Sequence, residues 1–312
     1  MEIWTAVLLF LLGLALIIKG GDWFLSGAVW IAEATGVPRF IIGATIVSLA
    51  TTLPELMVSV TGVLQGETDL AVGNAVGSVT ANLGLILGIS LVCIPSRVVR
   101  AQFELKAFLM VCAAALLMVL CREGSLAVLP GLLLLGIFGA YLWSNLHDAR
   151  SGMSGEARPG IQWKKALGKI LLFVLGIGAI VIGSRLLIDY GSELALLMGV
   201  PSSIIGVTMV AIGTSLPELV TTLTAIAKKE ASMSVGNIIG ANVIDLTLIL
   251  PVCAAISGGR LAIVSQTTAL DLPACLLLCC LAVLPPLLAG RFFRWQGVAI
   301  LSLYAAYIVL LL

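Results

Sequence analysis

Charge is scarce in this sequence: Asp, Glu, Lys and Arg make up 11% of 312 residues, against 60% hydrophobic residues and a mean hydropathy of +1.17. So little polar surface cannot cover a water-soluble globule of this length, which places the chain in lipid. A net charge of +1, and no Lys/Arg-rich stripe with interleaved aromatics, argue against nucleic acid as a partner. Zinc-ligand spacing is missing: there is one histidine, and Cys112, Cys121, Cys253, Cys275, Cys279 and Cys280 lie in or beside apolar runs, where cysteine acts as a small packing residue. No nucleophile and base pair, cofactor fingerprint or phosphate loop is visible, so neither an enzyme nor a cofactor is expected. Met1-Glu2-Ile3-Trp4 lacks the positive start of a signal peptide, and the run from Ile3 to Ile18 reads as a retained membrane helix. The partners this leaves are small ions and the lipid bilayer, with no obligate protein partner implied.

What is present is a series of apolar runs long enough to cross about 30 Å of hydrocarbon, which without strand-like alternation must be helices. The expected fold is all-α, with about ten transmembrane helices. Their spans are 3–19 continuing to about 33, 38–64, 70–92, 104–121, 126–144, 166–188, 201–227, 232–256, 269–288 and 295–312. The longest polar stretch, Leu146 to Lys165, divides the chain into a first five-helix half (1–145), a linker (146–165) and a second half (166–312). Arg39, Arg97, Arg100, Lys106, Arg150 and Arg158 belong to one set of alternate loops, while the opposite set holds only Arg122, Arg185 and Arg260. The positive-inside rule then makes the linker cytoplasmic and both termini extracytoplasmic.

The two halves are copies. Gly36-Val37-Pro38 recurs as Gly199-Val200-Pro201, and the same offset carries Leu53-Pro54-Glu55-Leu56 to Leu216-Pro217-Glu218-Leu219, Val72-Gly73-Asn74 to Val235-Gly236-Asn237, Gly77 to Gly240 and Asn82 to Asp245. Nearly half of positions 36–87 recur unchanged at 199–250. An odd number of helices separates the copies, so the second is inverted across the membrane. Inverted repeats with helices 2, 3, 7 and 8 broken by Gly and Pro, and an ion site near the midplane, are a recurring plan of secondary transporters.

Glu55, Glu218 and Asp245 lie deep in apolar runs, where a carboxylate is costly unless it faces a polar cavity or a cation. The plainer alternative is a neutral, hydrogen-bonded structural carboxyl. A proline precedes each glutamate by one residue, removing a backbone donor and freeing carbonyls near Ala50 and Gly213, while Thr51, Thr52, Thr214 and Ser215 offer hydroxyls within a turn. An all-oxygen donor set suits a hard cation, and two glutamates balance one Ca²⁺ or two Na⁺. Asn82 and Asp245 are placed to complete the ring, and three carboxylates packed together repel one another, so protons are expected to compete with cations. The spaced glycines Gly73 and Gly77, and Gly236 and Gly240, read as close helix contacts. Asn74 and Asn237 either hold freed carbonyls or cross-link helices. Asp271 is expected to cap helix 9, and His147 to be a solvated loop residue.

At these motifs the sequence resembles the calcium/cation antiporter superfamily, in its sodium/calcium exchanger branch of prokaryotic type. That resemblance implies ten helices through which Na⁺ entry drives Ca²⁺ out of the cell across the plasma or inner membrane. It implies that Glu55 and Glu218 are shared Ca²⁺ and Na⁺ ligands, that Thr51 and Thr214 give backbone oxygens, and that Asn82 and Asp245 flank them. Ser48 and Ala211 match main-chain Na⁺ ligands, and Thr52, Ser78 and Ser215 match hydroxyl ligands. Ala50 stands for the usual Gly, Val79 for the Asn of the first Gly-Ser-Asn, and Ala241 for the Ser of the second, which removes a hydroxyl ligand from one Na⁺ site. A Ca²⁺/H⁺ or K⁺-dependent antiporter is the alternative; a cation channel is a reading from another class. With only 146–165 as a central loop, no regulatory domain is expected. Helices 1 and 6, with the glycine-containing connections Lys19 to Gly36 and Ser184 to Gly199, are expected to move against the rest.

Overall fold

The computed structural model describes residues 3–94, 99–152, 163–197 and 215–311. These form ten helices in chain order: α1 (Ile3–Thr35), α2 (Arg39–Leu64), α3 (Thr68–Cys93), α4 (Arg100–Leu120), α5 (Val128–Gly152), α6 (Trp163–Leu197), α7 (Leu216–Ala227), α8 (Ala231–Ile256), α9 (Thr267–Ala289) and α10 (Arg294–Leu311). Among the described residues nine helices are long and apolar enough to cross a membrane; α7, whose expected first half lies outside the described residues, is shorter. The sole sheet there is a two-stranded one, β1 (Ser125–Ala127) paired antiparallel with β2 (Arg260–Ala262), which ties the α4–α5 connection to the α8–α9 connection.

The polarity of a soluble protein is reversed. Trp4, Leu8, Leu129 and Leu288 are exposed, while Glu55, Glu218, Asp245, Asn82 and Asn242 are buried. An apolar surface costs nothing in lipid, so the outward stripes of α1, α5, α6 and α10 need no partner. Close approach of helices there relies on small residues. α1 and α6 meet through reciprocal glycines: a β-carbon at Gly13 would lie 2.9 Å from the Gly183 carbonyl oxygen, and one at Gly176 would lie 2.8 Å from that of Gly20. Their rings Phe24 and Phe173 stack at 4.7 Å. This pair leans on α2, α7 and α8 through a small apolar cluster that includes Ile42, Val47 and Ala225, separate from the larger core of α2–α5 and α8–α10.

Several expectations take a different form in the structure. In place of chain breaks, α2, α3 and α8 run on through wide π turns at Gly43–Val47, Asn82–Leu87 and Asp245–Ile249, and α9 begins with one at Thr267–Asp271. One residue inserted per turn misaligns the carbonyls, and side chains take up some of them. Tyr141 donates to the Ala44 carbonyl oxygen, and Thr45 donates to that of Ile41 at 2.6 Å. Lys19 to Thr35 and Ser184 to Leu197 are helical parts of α1 and α6, not connections. Helix α5 extends through Gly152, so the linker begins later than its polar composition suggests, and His147 lies on that helix, solvated and stacked on Trp143. Asp271 makes no capping bond; it accepts the Tyr307 hydroxyl at 3.1 Å. Lys106, expected in a loop, is fully buried on α4, bonded to Asp148 of α5 at 2.5 Å and to Ser144 at 3.3 Å.

The glycine motif is a close contact in its second copy. A β-carbon at Gly236 would collide with the Phe40 carbonyl, and one at Gly240 would lie 2.7 Å from the Ala44 carbonyl oxygen, so α8 presses directly on the π turn of α2. No described residue comes within 4 Å of a β-carbon at Gly73 or Gly77, whose counterparts to the α2 contact, 203–211, lie outside the described residues. This packing can be probed at two places. Gly236→Ala should lower the melting temperature by several degrees in a detergent melt, whereas Gly139→Ala, which meets nothing described within 4 Å, should not. Asp148→Ala, which strands a buried ammonium, should cost about 3 kcal/mol in denaturant unfolding, and Lys106→Met with Asp148→Met should recover most of it.

Candidate functional site

The site is built from α2, α3, α7 and α8. Pro54 sits inside α2 and supplies no N–H to the Ala50 carbonyl, and Pro217 stands in the first turn of α7 after Ser215 at its N-cap. Glu55 and Glu218 follow these prolines, and both are 0% exposed, as is Asp245 at the first position of the α8 π turn. The Glu55 carboxyl lies within electrostatic reach of Glu218 and Asp245. Neither oxygen of Glu55 or of Asp245 has a hydrogen-bond partner among the described residues; one oxygen of Glu218 is equally bare, and its other accepts from Thr52 at 3.5 Å. Buried polar groups are ordinarily hydrogen-bonded, so carboxyls this short of donors are exceptional.

A carboxylate at the centre of a membrane helix costs on the order of 3 kcal/mol. Three such groups close enough to interact, two of them with no donor among the described residues and the third with one, are in the condition that a cation relieves. Among the described residues no three His, Cys, Asp or Glu side chains close into one metal-ligating group. The carboxylates are thus less tightly packed than the sequence suggests, and a cation shell here needs neutral oxygens as well.

Those oxygens are nearby and held in place. Asn74 of α3 combines the two alternatives: its Nδ2 donates to the Glu55 carbonyl oxygen at 3.0 Å and to Ser59 Oγ at 2.9 Å, cross-linking α3 to α2 while holding the main chain of the glutamate. Asn237, its repeat equivalent, accepts from Thr51 at 3.3 Å and donates to Thr221 at 3.2 Å, and Thr221 in turn donates to the Glu218 carbonyl oxygen at 3.0 Å. Ser48 and Thr52 are buried on the face of α2 that carries Glu55, and Ser78 is buried on α3. The Ser215 hydroxyl is buried with no partner among the described residues. Ala211 and Thr214 lie outside the described residues. Asn82 opens the π turn of α3, as Asp245 opens that of α8, and its Nδ2 donates to Asn242 Oδ1 at 3.1 Å. Asn242, Ser59 and Thr221 are not among the candidates drawn from the sequence; Asn242 carried a signal there, as the Asn of the second Gly-x-Asn, whose first-repeat position is Val79.

Residues 5–146 and 168–312 match the sodium/calcium exchanger protein family. The chain is 28% identical to the sodium/calcium exchanger MaX1 of Methanosarcina acetivorans, covering 97% of both, and 34% identical to the inner membrane protein YrbG of Escherichia coli, covering 82% of this chain and 81% of the other. Its fold matches that of the sodium-calcium exchanger NCX_Mj soaked with Na⁺ and Sr²⁺ at a TM-score of 0.86 and 28% identity, over 99% of each chain. With both halves matched, one relative aligned almost end to end and a solved exchanger sharing the helical fold, the chain belongs to the sodium/calcium exchanger family of multi-pass membrane transporters.

Proposed function

We propose that this protein exchanges Ca²⁺ for Na⁺ by alternating access, at a site centred on Glu55 and Glu218. The observation that carries this reading is their pairing: two wholly buried carboxylates at equivalent positions of the two copies, within reach of each other and short of hydrogen-bond donors. Their joint charge balances one Ca²⁺ or two Na⁺, so the two ions compete for the same groups. Asn82 and Asp245 flank them. Thr51 and Thr214 add main-chain oxygens to the shared site, Ser48 and Ala211 add them for Na⁺, and Thr52, Ser78 and Ser215 add hydroxyls. The halves 1–145 and 166–312 act as inverted repeats about the linker 146–165, which is cytoplasmic, with both termini outside the cell membrane.

Alternation is assigned to α1 and α6. Their mutual glycine contacts and their own small apolar cluster let them move as a pair across α2 and α7. A second reading, proton coupling, is favoured by two features: Ala241 lacks the hydroxyl of the usual Na⁺ ligand, and Asp245 adds a third carboxylate where the first copy has an amide.

Glu55→Gln and Glu218→Gln should each lower Na⁺-driven ⁴⁵Ca²⁺ uptake into vesicles by at least about thirty-fold, the equivalent of roughly 2 kcal/mol of buried charge attraction. Asp245→Asn should be milder; full activity in either glutamate variant would remove the site assignment. Vesicles given a Na⁺ gradient or a proton gradient separate the coupling ions: uptake driven by protons alone replaces Na⁺ by H⁺ and leaves the carboxylate site standing. A β-carbon at Gly21 would lie 3.8 Å from that of Thr224, within disulfide reach. Oxidising Gly21→Cys with Thr224→Cys should stop exchange, keep equilibrium Ca²⁺ binding, and be reversed by reductant; transport through the locked form would refute the motion.

A further inference from the structure

An amide ligand has a wrong way round. Turned by half a rotation, Asn82 would offer a cation its NH₂ group instead of its carbonyl oxygen, and attraction would become repulsion. In the structure the Asn82 Nδ2 is bonded to Asn242 Oδ1 at 3.1 Å, while the Asn82 oxygen is buried without a partner among the described residues. Asn242 precedes Asp245 by three residues on α8, so the two share a helix face and the bond ties Asn82 to the face that carries Asp245. Asn242 is fixed in turn. Its own Nδ2 lies 3.8 Å from Sδ of Met110 on α4, and a thioether accepts hydrogen bonds but cannot donate them. Reversing Asn242 would set its oxygen against a sulfur with nothing to give, and would force Asn82 to turn its NH₂ toward the carboxylate side.

The repeat supplies an independent comparison. Where Asn82 stands in the first copy the second has Asp245, and where Asn242 stands in the second copy the first has Val79. A carboxylate is oxygen at both ends and needs no orientation; both Asp245 oxygens are free of hydrogen-bond partners among the described residues. An amide needs it. The amide ligand has an amide beside it, and the carboxylate has a valine at the position equivalent to that helper.

We propose that Asn242 is a positioning residue: held by Met110, it keeps the Asn82 amide with its carbonyl oxygen toward the transported cation. This rests on the placement of Asn82 in the ion site proposed above. The test is a double-mutant cycle read by equilibrium ⁴⁵Ca²⁺ binding and by vesicle exchange, with the full chain throughout. Asn242→Ala should raise the half-saturating Ca²⁺ concentration about ten-fold, the worth of one net hydrogen bond, with the maximal rate changed less than about two-fold. In an Asn82→Asp background, where no orientation is needed, Asn242→Ala should change half-saturation less than about two-fold. Met110→Leu keeps the volume and removes the acceptor, so it should act in the same direction by about two- to three-fold, again only with Asn82 present; it also tests the relay should Asn242→Ala fold poorly. Equal penalties with Asn82 present and in the Asn82→Asp background would mean a packing role and overturn the proposal. So would wild-type affinity in Asn242→Ala beside an impaired Asn82→Ala. Wild-type affinity in Asn82→Ala itself would instead remove Asn82 from the site, and the positioning role with it.

Discussion

Three carboxylates cut off from water set the terms for everything around them. In lipid no solvent shell rescues an uncompensated charge, and the described protein gives Glu55 and Asp245 no hydrogen-bond donor at all. The surrounding helices are arranged to leave that demand open and to keep its geometry fixed. Asn74 and Thr221 direct their donors to the carbonyls of the two glutamates, not to the carboxyls, so the main chain is anchored while the charged ends stay available. The centre is therefore held by its backbone, with the carboxyl ends left free of the scaffold that positions them.

The anchoring depends on helices that approach to backbone distance. Gly236 and Gly240 bring α8 onto the π turn of α2, where the Ala44 carbonyl takes a hydrogen bond from Tyr141 of α5. A wide turn frees carbonyls that a regular helix would occupy, and in a membrane such carbonyls are tolerated only where protein or a polar cavity meets them. The π turns at Asn82 and Asp245 thus have the same effect as the proline at Glu55: each opens the helical hydrogen-bond ladder beside a buried polar side chain. On the other side, α1 and α6 touch one another through glycine backbones and meet the rest through a small apolar cluster and through the Glu33–Arg39 and Asp22–Lys228 ion pairs.

Much of this is legible in the residues because membrane burial makes polarity informative. Glu55, Glu218 and Asp245 stand out in apolar runs, and the constant offset between the copies carries each onto its equivalent position. Local backbone form is harder to read. Proline next to an acid suggests a break, yet α2 runs through Pro54, and the irregular turn lies earlier, at Gly43–Val47, where only tertiary donors such as Tyr141 reveal why it is stable. Lys106 reads as a loop charge because sequence cannot show that Asp148, on the next helix, comes within hydrogen-bond distance. Asp271 sits before a proline as a cap would, but the Tyr307 hydroxyl, distant in sequence, claims its oxygen.

The departures between the two copies carry as much information as their agreement. Duplication by itself would give two identical half-sites, and identical half-sites would offer either two amides or two acids beside the glutamates. Having an acid at Asp245 shifts the charge of the centre and dispenses with orientation at that position. Keeping the other as Asn82 requires that the amide be told which way to face. The residue bonded to it, Asn242, is on the helix that carries the acid, so the amide of the first copy is tied to a helix of the second by a hydrogen bond. On the reading proposed above, the two copies thus have unlike flanks: one set by charge alone, and one set by its neighbours.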